Sequence, residues 1–329
     1  MVKPVEGKTV LVSGGAGFIG SHLCASLLKD GCRVLCLDNF STGSKDNVSE
    51  LSQQGNFLLI NSDVAKKLPE VVLDTQFAYI FHLASPASPN ENSPISYMNL
   101  PLETMDANSI GTRHLLRLAR KNQAKFLFAS TSEVYGDPAI HPQTEDYWGN
   151  VNPVGVRACY DESKRFGEAL TMVYVKKFQV DARIVRIFNT YGPGMDLRDG
   201  RAIVNFIVAA LTNQPLTVFG KGKQTRSLCF VSDMVEGLKK AMFSSHTKGE
   251  VFNLGNANEY TVLDIANKVK KAVASSSVIL FANLPDDDPR RRRPDISKAK
   301  KILNWAPKIT FRKGLTKTIK YFREKIPNA

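Results

Sequence analysis

The chain has 329 residues, 43% of them hydrophobic, and a formal net charge of +13; this suits one large domain, or a nucleotide domain with a smaller companion, and argues against disorder. Its apolar runs, such as Phe126–Ala129 and Ala202–Leu211, are far short of a membrane span, and Met1 through Lys3 and Glu6 lead into a strand with no signal-peptide core, so a soluble, cytoplasmic protein is expected. A basic chain attracts polyanions, but only Arg290–Arg293 forms a dense run and no aromatic residues interleave it, so the charge points to an anionic small molecule rather than to nucleic acid.

The first half alternates short apolar strands with amphipathic helices. Lys8–Ser13 reads as a strand, then Phe18–Leu28 as a helix with Phe18, Ile19, Leu23, Leu27 and Leu28 near helical spacing. Strands follow at Arg33–Leu37, Phe57–Asn61 and Tyr79–Leu83, then a helix at Ile110–Ala119, a strand at Lys125–Ala129, a helix at Lys164–Phe178 and a strand at Ala182–Ile187. This alternation predicts an α/β fold, a Rossmann-type doubly wound parallel sheet with helices on both faces.

After about residue 190 the alternation loosens. Helices are expected at Ala202–Leu211, Asp233–Ala241, Leu263–Val273 and Gly314–Lys325, and strands at Leu216–Val218 and Leu228–Val231. The division expected is therefore a dinucleotide domain over 1–190 and a smaller substrate lobe over 191–329, whose chain re-enters the first domain in part. Cys24, Cys32, Cys36, Cys159 and Cys229 are odd in number and without CxxC spacing, which reads as reduced thiols. The five histidines do not cluster at metal-ligand spacing, so no metal is expected.

Behind the first strand comes Gly14-Gly15-Ala16-Gly17-Phe18-Ile19-Gly20, with a helix starting inside it. A backbone that must approach a pyrophosphate closely excludes side chains, and a helix N-terminus supplies N–H groups and positive dipole. Glycine-rich turns alone are common; the strand before, the helix after, and Asp38 at the end of the next strand give this one its meaning. A carboxylate there hydrogen-bonds ribose hydroxyls and repels a 2′-phosphate, so NAD is expected over NADP despite Lys45 nearby.

Tyr160 and Lys164 form a YxxxK pair, on one face if the segment is helical. A tyrosine titrates near ~10 unperturbed, and a neighbouring ammonium is expected to move it toward the working range of a base. Read by itself, YxxxK is more often an exposed helix pair. With the glycine loop and Ser130-Thr131-Ser132-Glu133 after a late strand, the chain resembles the extended short-chain dehydrogenases/reductases over nearly its whole length.

A narrower resemblance, to the UDP-glucuronate decarboxylases, rests on several blocks: His82 through Pro89, Ala129 through Pro138, Glu145 through Gly149, Arg157-Ala158-Cys159-Tyr160-Asp161-Glu162, Arg186 through Pro193, and Lys300 through Trp305. A 4,6-dehydratase of the family carries Asp-Glu where this chain has Ser132-Glu133, and a 4-epimerase usually lacks the acid at Glu133. The departures are Val156 in place of a usual proline, Ser163 in place of a usual glycine, and Ser227-Leu228-Cys229-Phe230.

The resemblance implies oxidation at C4 of a UDP-hexuronate, loss of CO2 from the resulting β-keto acid, and return of the hydride, so that NAD is recycled. It implies Tyr160 and Lys164 as the acid–base pair, Thr131 as a partner of the reacting hydroxyl, and Glu133 as an acid that repels the sugar carboxylate or positions a water. Asn189, Arg201, Arg226 and Arg292 fall to the substrate, the arginines as forked donors to anionic groups, together with Ser85, Pro86 and Glu133; Arg292 is also counted with the catalytic set. The cofactor takes Gly14, Gly17, Phe18, Ile19, Gly20, Asp38, Asn39, Thr42, Gly43, Leu83, Ala84, Thr190, Tyr160 and Lys164, with Asp63 and Val64 bordering the adenine. A homodimer through about Leu102–Arg120 and Tyr160–Phe178 is implied as well. The rival readings are a nucleotide-sugar 4-epimerase or 4,6-dehydratase on the same scaffold and, from another class, a catalytically inactive dinucleotide-sensing regulator.

Overall fold

The structure, a computed structural model, describes residues 5–284 and 289–326; Met1–Lys3 lie outside the described residues. Along the first half run β1 (Thr9–Ser13), α1 (Phe18–Lys29), β2 (Arg33–Asp38), β3 (Phe57–Asn61), α2 (Glu70–Leu73) and β4 (Tyr79–His82). Next come α3 (Pro101–Asp106), a π-helical turn (Ala107–Gly111), α4 (Thr112–Asn122), β5 (Lys125–Thr131), α5 (Ala158–Phe178) and β6 (Ala182–Ile187). The second half adds β7 (Thr190–Tyr191), α6 (Ala202–Leu211), β8 (Leu216–Phe219), β9 (Thr225–Ser227), β10 (Cys229–Phe230), α7 (Val231–Phe243) and β11 (Val251–Leu254). It ends with β12 (Glu259–Thr261), α8 (Val262–Val273), β13 (Ile279–Ala282), α9 (Ser297–Leu303) and α10 (Phe311–Lys325).

Seven strands form one sheet in the order β11-β6-β5-β4-β1-β2-β3, and every neighbouring pair is parallel. The inner strands are buried on both faces, which is why they read as unbroken apolar runs, whereas the edge strand β3 exposes Leu58 and Asn61. Alternate side chains divide between the layers: Val10, Val12, Phe81 and Leu127 join the core under α1 and α7, whereas Leu11, Ile80, Phe126 and Phe128 join the core of the opposite face, with Leu115 and Leu116 of α4. Each such side chain contributes roughly 1.5–3 kcal/mol on burial. Strand order reverses between β1 and β4, and the loops leaving their C-terminal ends diverge there to open a crevice.

Three features differ from the sequence reading. The helix expected to begin at Lys164 begins at Ala158, which brings Tyr160 onto its first turn. The helix expected over Ile110–Ala119 is the end of a longer rod, Pro101–Asn122, interrupted by the π turn. The seventh strand, β11, which pairs with β6 in the main sheet, is an element the sequence reading did not place; with four residues, one of them Asn253, it is too short to give a period. The other sheets are two-stranded: β10 with β7, β12 with β9, and β13 with β8.

Candidate active site

The crevice opens on a cavity of about 430 Å³, continuous through Gly14, Gly17, Thr42, Leu83 and Ser85 with a second of about 70 Å³. Its floor is the glycine loop. Gly14 sits at φ +74°, and a Cβ there would lie 2.6 Å from the Ala84 nitrogen; a Cβ on Gly20 would lie 2.0 Å from the Gly14 carbonyl oxygen. The loop therefore closes against α1 and the β4 end only with glycine at both places. Gly17 is the N-cap of α1 and offers no side chain to the first turn; Gly17, Phe18 and Ile19 line the cavity, and a helix N-terminus so placed suits a phosphate. The residues present fit a dinucleotide: the pyrophosphate cradle is bare backbone.

Asp38, 7% exposed, accepts from the Ala16 N–H through Oδ2 and from the Phe40 N–H through Oδ1, both at 2.9 Å. Burial raises its pKa and these backbone bonds oppose the rise. It lines the smaller cavity with Asn39, Thr42, Asp63, Val64, Leu83, Ala84 and Pro86. Asn39 donates to the Asp63 carboxylate at 3.2 Å. Gly43 packs beside Asp38, where a Cβ would lie 2.8 Å from Oδ1.

The larger cavity gathers Thr131, Glu133, Tyr160, Lys164, Asn189, Thr190 and Arg201 with Ser85 and the glycine loop. Thr131 ends β5 and caps the next turn, its hydroxyl accepting from the Glu133 N–H at 3.2 Å. Tyr160 and Lys164 lie one turn apart on α5. Burial pushes the Tyr160 phenol up to about 12, while a hydrogen bond with the Thr131 side chain pulls the other way. The cation that lowers it is Arg201, not the expected Lys164. Lys164 donates instead to the Ala129 carbonyl at 2.8 Å, and its Nζ stands 5.7 Å from the Tyr160 ring centroid. Burial lowers the Lys164 ammonium to about 7. Arg201 donates to the Ala87 carbonyl at 3.1 Å and pairs with Asp199 at 3.3 Å.

Glu133, which the sequence reading gives as an acid that repels the sugar carboxylate or positions a water, is held by two arginines. Arg157 donates to its Oε2 at 2.6 Å, Arg292 donates to Oε2 at 2.8 Å, and the other Arg292 nitrogen bonds Oε1. Burial opposes its charge, but Arg157 and Arg292 outweigh burial and hold the carboxyl down at about 2. Arg292 is 4% exposed and reaches the site through Glu133 rather than by lining the cavity. Arg226, on β9, donates to the Thr225 and Pro289 carbonyls at 2.9 Å, and its charge bears on Glu133. Arg290 and Arg291 are exposed.

Support comes from behind. His82 joins β1 to the π turn: its Nδ1 lies 2.8 Å from the Ser13 hydroxyl and its Nε2 3.1 Å from that of Thr112; burial holds it neutral, its pKa about 3. Arg186 clamps Glu168 through Nε and Nη2 at 2.9 and 2.8 Å, and Ser130 donates to the same carboxylate. Ser163 accepts from Asn108 at 3.0 Å, an added contact under α5, while Val156 is 53% exposed. Leu228, Cys229 and Phe230 are buried in the lobe core.

Sequence reasoning passed over Arg157, whose only signal was its place in the quoted block ahead of Tyr160. It also passed over Tyr321 and Lys325 of α10, which line the cavity from the far end of the chain; Lys325 pairs with Asp46 at 3.3 Å. Among the described residues no group of three or more His, Cys, Asp or Glu is placed to hold a metal, and no helix is long and apolar enough to cross a membrane.

Comparison with known proteins identifies the family. The profile of the GDP-mannose 4,6 dehydratase family matches residues 11–318. UDP-glucuronic acid decarboxylase 1 of Danio rerio is 50% identical over 97% of this chain and 73% of its own length; UDP-glucuronic acid decarboxylase 2 of Arabidopsis thaliana is 48% identical over 98% and 69%. Among solved structures, the UDP-glucuronic acid 4-epimerase of Bacillus cereus, in complex with UDP-glucuronic acid and NAD, superposes with a TM-score of 0.86 at 29% identity, covering 97% of this chain and all of that one. The chain thus belongs to the extended short-chain dehydrogenase/reductase family that the GDP-mannose 4,6 dehydratase profile describes and, within it, to the UDP-glucuronic acid decarboxylases.

Proposed function

We propose that this protein converts UDP-glucuronate to UDP-xylose and CO2, with NAD retained and unchanged overall. The observation that carries the reading is one cavity walled by Thr131, Glu133, Tyr160 and Lys164, in which Glu133 is held by Arg157 and Arg292. NAD, when bound, supplies a reversible hydride acceptor for the sugar C4. The glycine loop holds its pyrophosphate by backbone and helix N-terminus, and Asp38 takes the adenosine ribose.

Tyr160 takes the proton of the sugar 4-OH, with Thr131 orienting the hydroxyl and Lys164 supplying positive charge one helical turn away. The ketone so formed at C4 is β to the C6 carboxylate. When the C5–C6 bond breaks, its electron pair enters the enolate at C4–C5 and CO2 leaves; protonation at C5 and return of the hydride to C4 complete the pentose. Glu133, fixed as an anion, discourages a second carboxylate from staying, which favours departure of the neutral gas. Asn189, Arg201 and Arg226 are assigned to the nucleotide sugar, with Arg292 acting through Glu133.

We also read a homodimer. Leu102 and Met105 of α3 and Phe166 and Val173 of α5 are exposed apolar residues on helices that pack together, and a second copy would cover them; light scattering tests it. The division into 1–190 and 191–329 is retained as our reading, with β11 counted to the first part. A cytoplasmic setting is in keeping with five cysteines that are all free thiols.

The experiment is to supply UDP-glucuronate labelled with 14C at C6, with NAD+, and to follow gas and nucleotide. Release of label with formation of UDP-xylose and no net NADH is the expected result. Label retained in an epimerised sugar would transfer the reading to a 4-epimerase, and NAD binding without turnover would favour a sensor.

A further inference from the structure

The phenol of Tyr160 is covered by a side chain that the chemistry above does not use. Tyr97, in the loop between β4 and α3, is 1% exposed. Its ring stacks on that of Tyr160, with centroids 4.7 Å apart and planes 3° from parallel. Parallel rings in van der Waals contact lie about 3.5 Å apart, so a 4.7 Å centroid separation means an offset stack, a favoured arrangement. The Tyr97 hydroxyl is buried and finds no hydrogen-bond partner among the described residues. The contact with Tyr160 is therefore made by the ring, and the polar atom adds no bond to it.

Tyr97 is itself held in place. Its N–H donates to the Ser88 carbonyl at 3.1 Å, and the thiol of Cys159, next to Tyr160 on α5, donates to its carbonyl at 3.4 Å. The Ser96 hydroxyl accepts from the Met98 and Asn99 N–H groups at 3.1 and 3.2 Å, which closes a turn around Tyr97. The same loop is tied to the segment before α6, where Ser88 and Ser93 donate to the Asp199 and Arg198 carbonyls; Arg198 and Asp199 line the cavity.

Tyr160 stands where such a holder matters. It lies on the first turn of α5, and terminal turns of helices fray. Rotation about Cβ–Cγ leaves a phenol oxygen where it is, but rotation about Cα–Cβ carries it to another place. Thr131 holds the hydroxyl by a hydrogen bond, and a ring sealed against Tyr97 cannot swing without parting the stack.

We propose that Tyr97 is a positioning residue for the base: its ring, stacked on Tyr160 and anchored through Ser88 and Cys159, holds the phenol oxygen at the reacting hydroxyl of the sugar. The inference rests on the reading of Tyr160 as the base. In this role Tyr97 acts through Tyr160 alone. A flat aromatic face is what the role needs, so phenylalanine serves and an aliphatic side chain does not.

The test follows release of labelled CO2 from C6-labelled UDP-glucuronate by the full chain with NAD+. It compares wild type with Tyr97→Leu, Tyr97→Phe, Tyr160→Phe and Tyr97→Leu/Tyr160→Phe. Tyr97→Leu should lose roughly 10–10²-fold in kcat, the scale of a misplaced reacting group, with KM for UDP-glucuronate within about threefold. Tyr97→Phe should bring kcat back to within about threefold of wild type, since the hydroxyl it removes leaves no partner stranded. Added to Tyr160→Phe, Tyr97→Leu should cost less than about threefold more, because the oxygen it positions has gone; a general loosening of the site would cost its full factor again. The inference is overturned if Tyr97→Phe falls as far as Tyr97→Leu, if Tyr97→Leu keeps its kcat or loses only in KM, or if the two losses multiply. Should Tyr97→Leu not fold, wild-type protein with 13C-labelled tyrosine rings decides. The Tyr160 ring signals, assigned by their loss in Tyr160→Phe, should be displaced by the Tyr97 ring current and show slow flipping; averaged, undisplaced signals would overturn the stack and the role with it. Turnover retained by Tyr160→Phe would remove the base itself, whereas an inactive Tyr160→Phe beside an unaffected Tyr97→Leu would remove Tyr97 alone.

Discussion

Arg292 grips both oxygens of Glu133, its Nη2 donating to Oε2 at 2.8 Å and its Nη1 to Oε1. The pair joins the segment after β13 to the turn after β5, distant stretches of chain that meet at the cavity wall. Arg157 completes the clamp at 2.6 Å.

Truncation of Arg292 removes one of two arginines from a buried carboxylate, a change that typically costs on the order of 2–5 kcal/mol when a charge is left underpaired. Arg292→Ala should lose roughly 10²–10³-fold in kcat/KM and lower Tm. Arg290→Ala, whose side chain is 87% exposed, should stay within about twofold. Glu133 titrates at about 2 against an ordinary 4.5, so the stability that its ionisation contributes is present above pH 4.5 and lost as pH falls toward 2. The Tm gap between wild type and Glu133→Gln should therefore narrow from pH 6 to pH 3; a constant gap would assign the loss to shape alone.

Tyr160→Phe deletes one hydroxyl and leaves the ring stacked on Tyr97. Turnover should drop about 10²–10⁴-fold, the usual contribution of a general base, while NAD+ and UDP-glucuronate still bind. Activity within a few-fold of wild type would remove Tyr160 from the mechanism.

Lys164 carries a buried charge that works against stability. Burial lowers its ammonium from 10.5 to about 7, with Glu168 giving partial relief. Its folded pKa lies below the unfolded one, so the charge penalises folding fully below pH 7, and the penalty fades as pH rises from 7 toward 10.5. Without added NAD, Lys164→Met should raise Tm most near pH 6 and progressively less by pH 9, and should be inactive. A variant less stable than wild type at pH 6 would mean that the bond to the Ala129 carbonyl outweighs the buried charge.

Asp38 lines the smaller cavity, and on our reading a 2′-phosphate on the adenosine ribose would meet its carboxylate. NAD+ should bind well and NADP+ poorly, by titration of each into the protein freed of dinucleotide. Equal affinities would overturn the role of Asp38. Asp38→Asn should narrow the gap, though loss of an ionic acceptor for the Ala16 and Phe40 N–H groups should weaken both.

Local pattern alone determined the alternating core of this protein. Strands buried on both faces need apolar runs, the pyrophosphate turn needs Gly14 and Gly20 where no Cβ fits, and Asp38 and the Tyr160–Lys164 pair lie at fixed spacing within one element or its neighbour. Tertiary structure decided what depends on meetings across the chain. β11 joins β6 through backbone bonds that leave no period in four residues, Tyr321 and Lys325 arrive at the cavity from the last helix, and Glu133 meets Arg292 over 159 positions of sequence. The ionisation of Tyr160 and Lys164 belongs to that second class. Spacing shows which cation is near which phenol, but desolvation depends on everything packed around them, and here it moves the phenol up and the ammonium down.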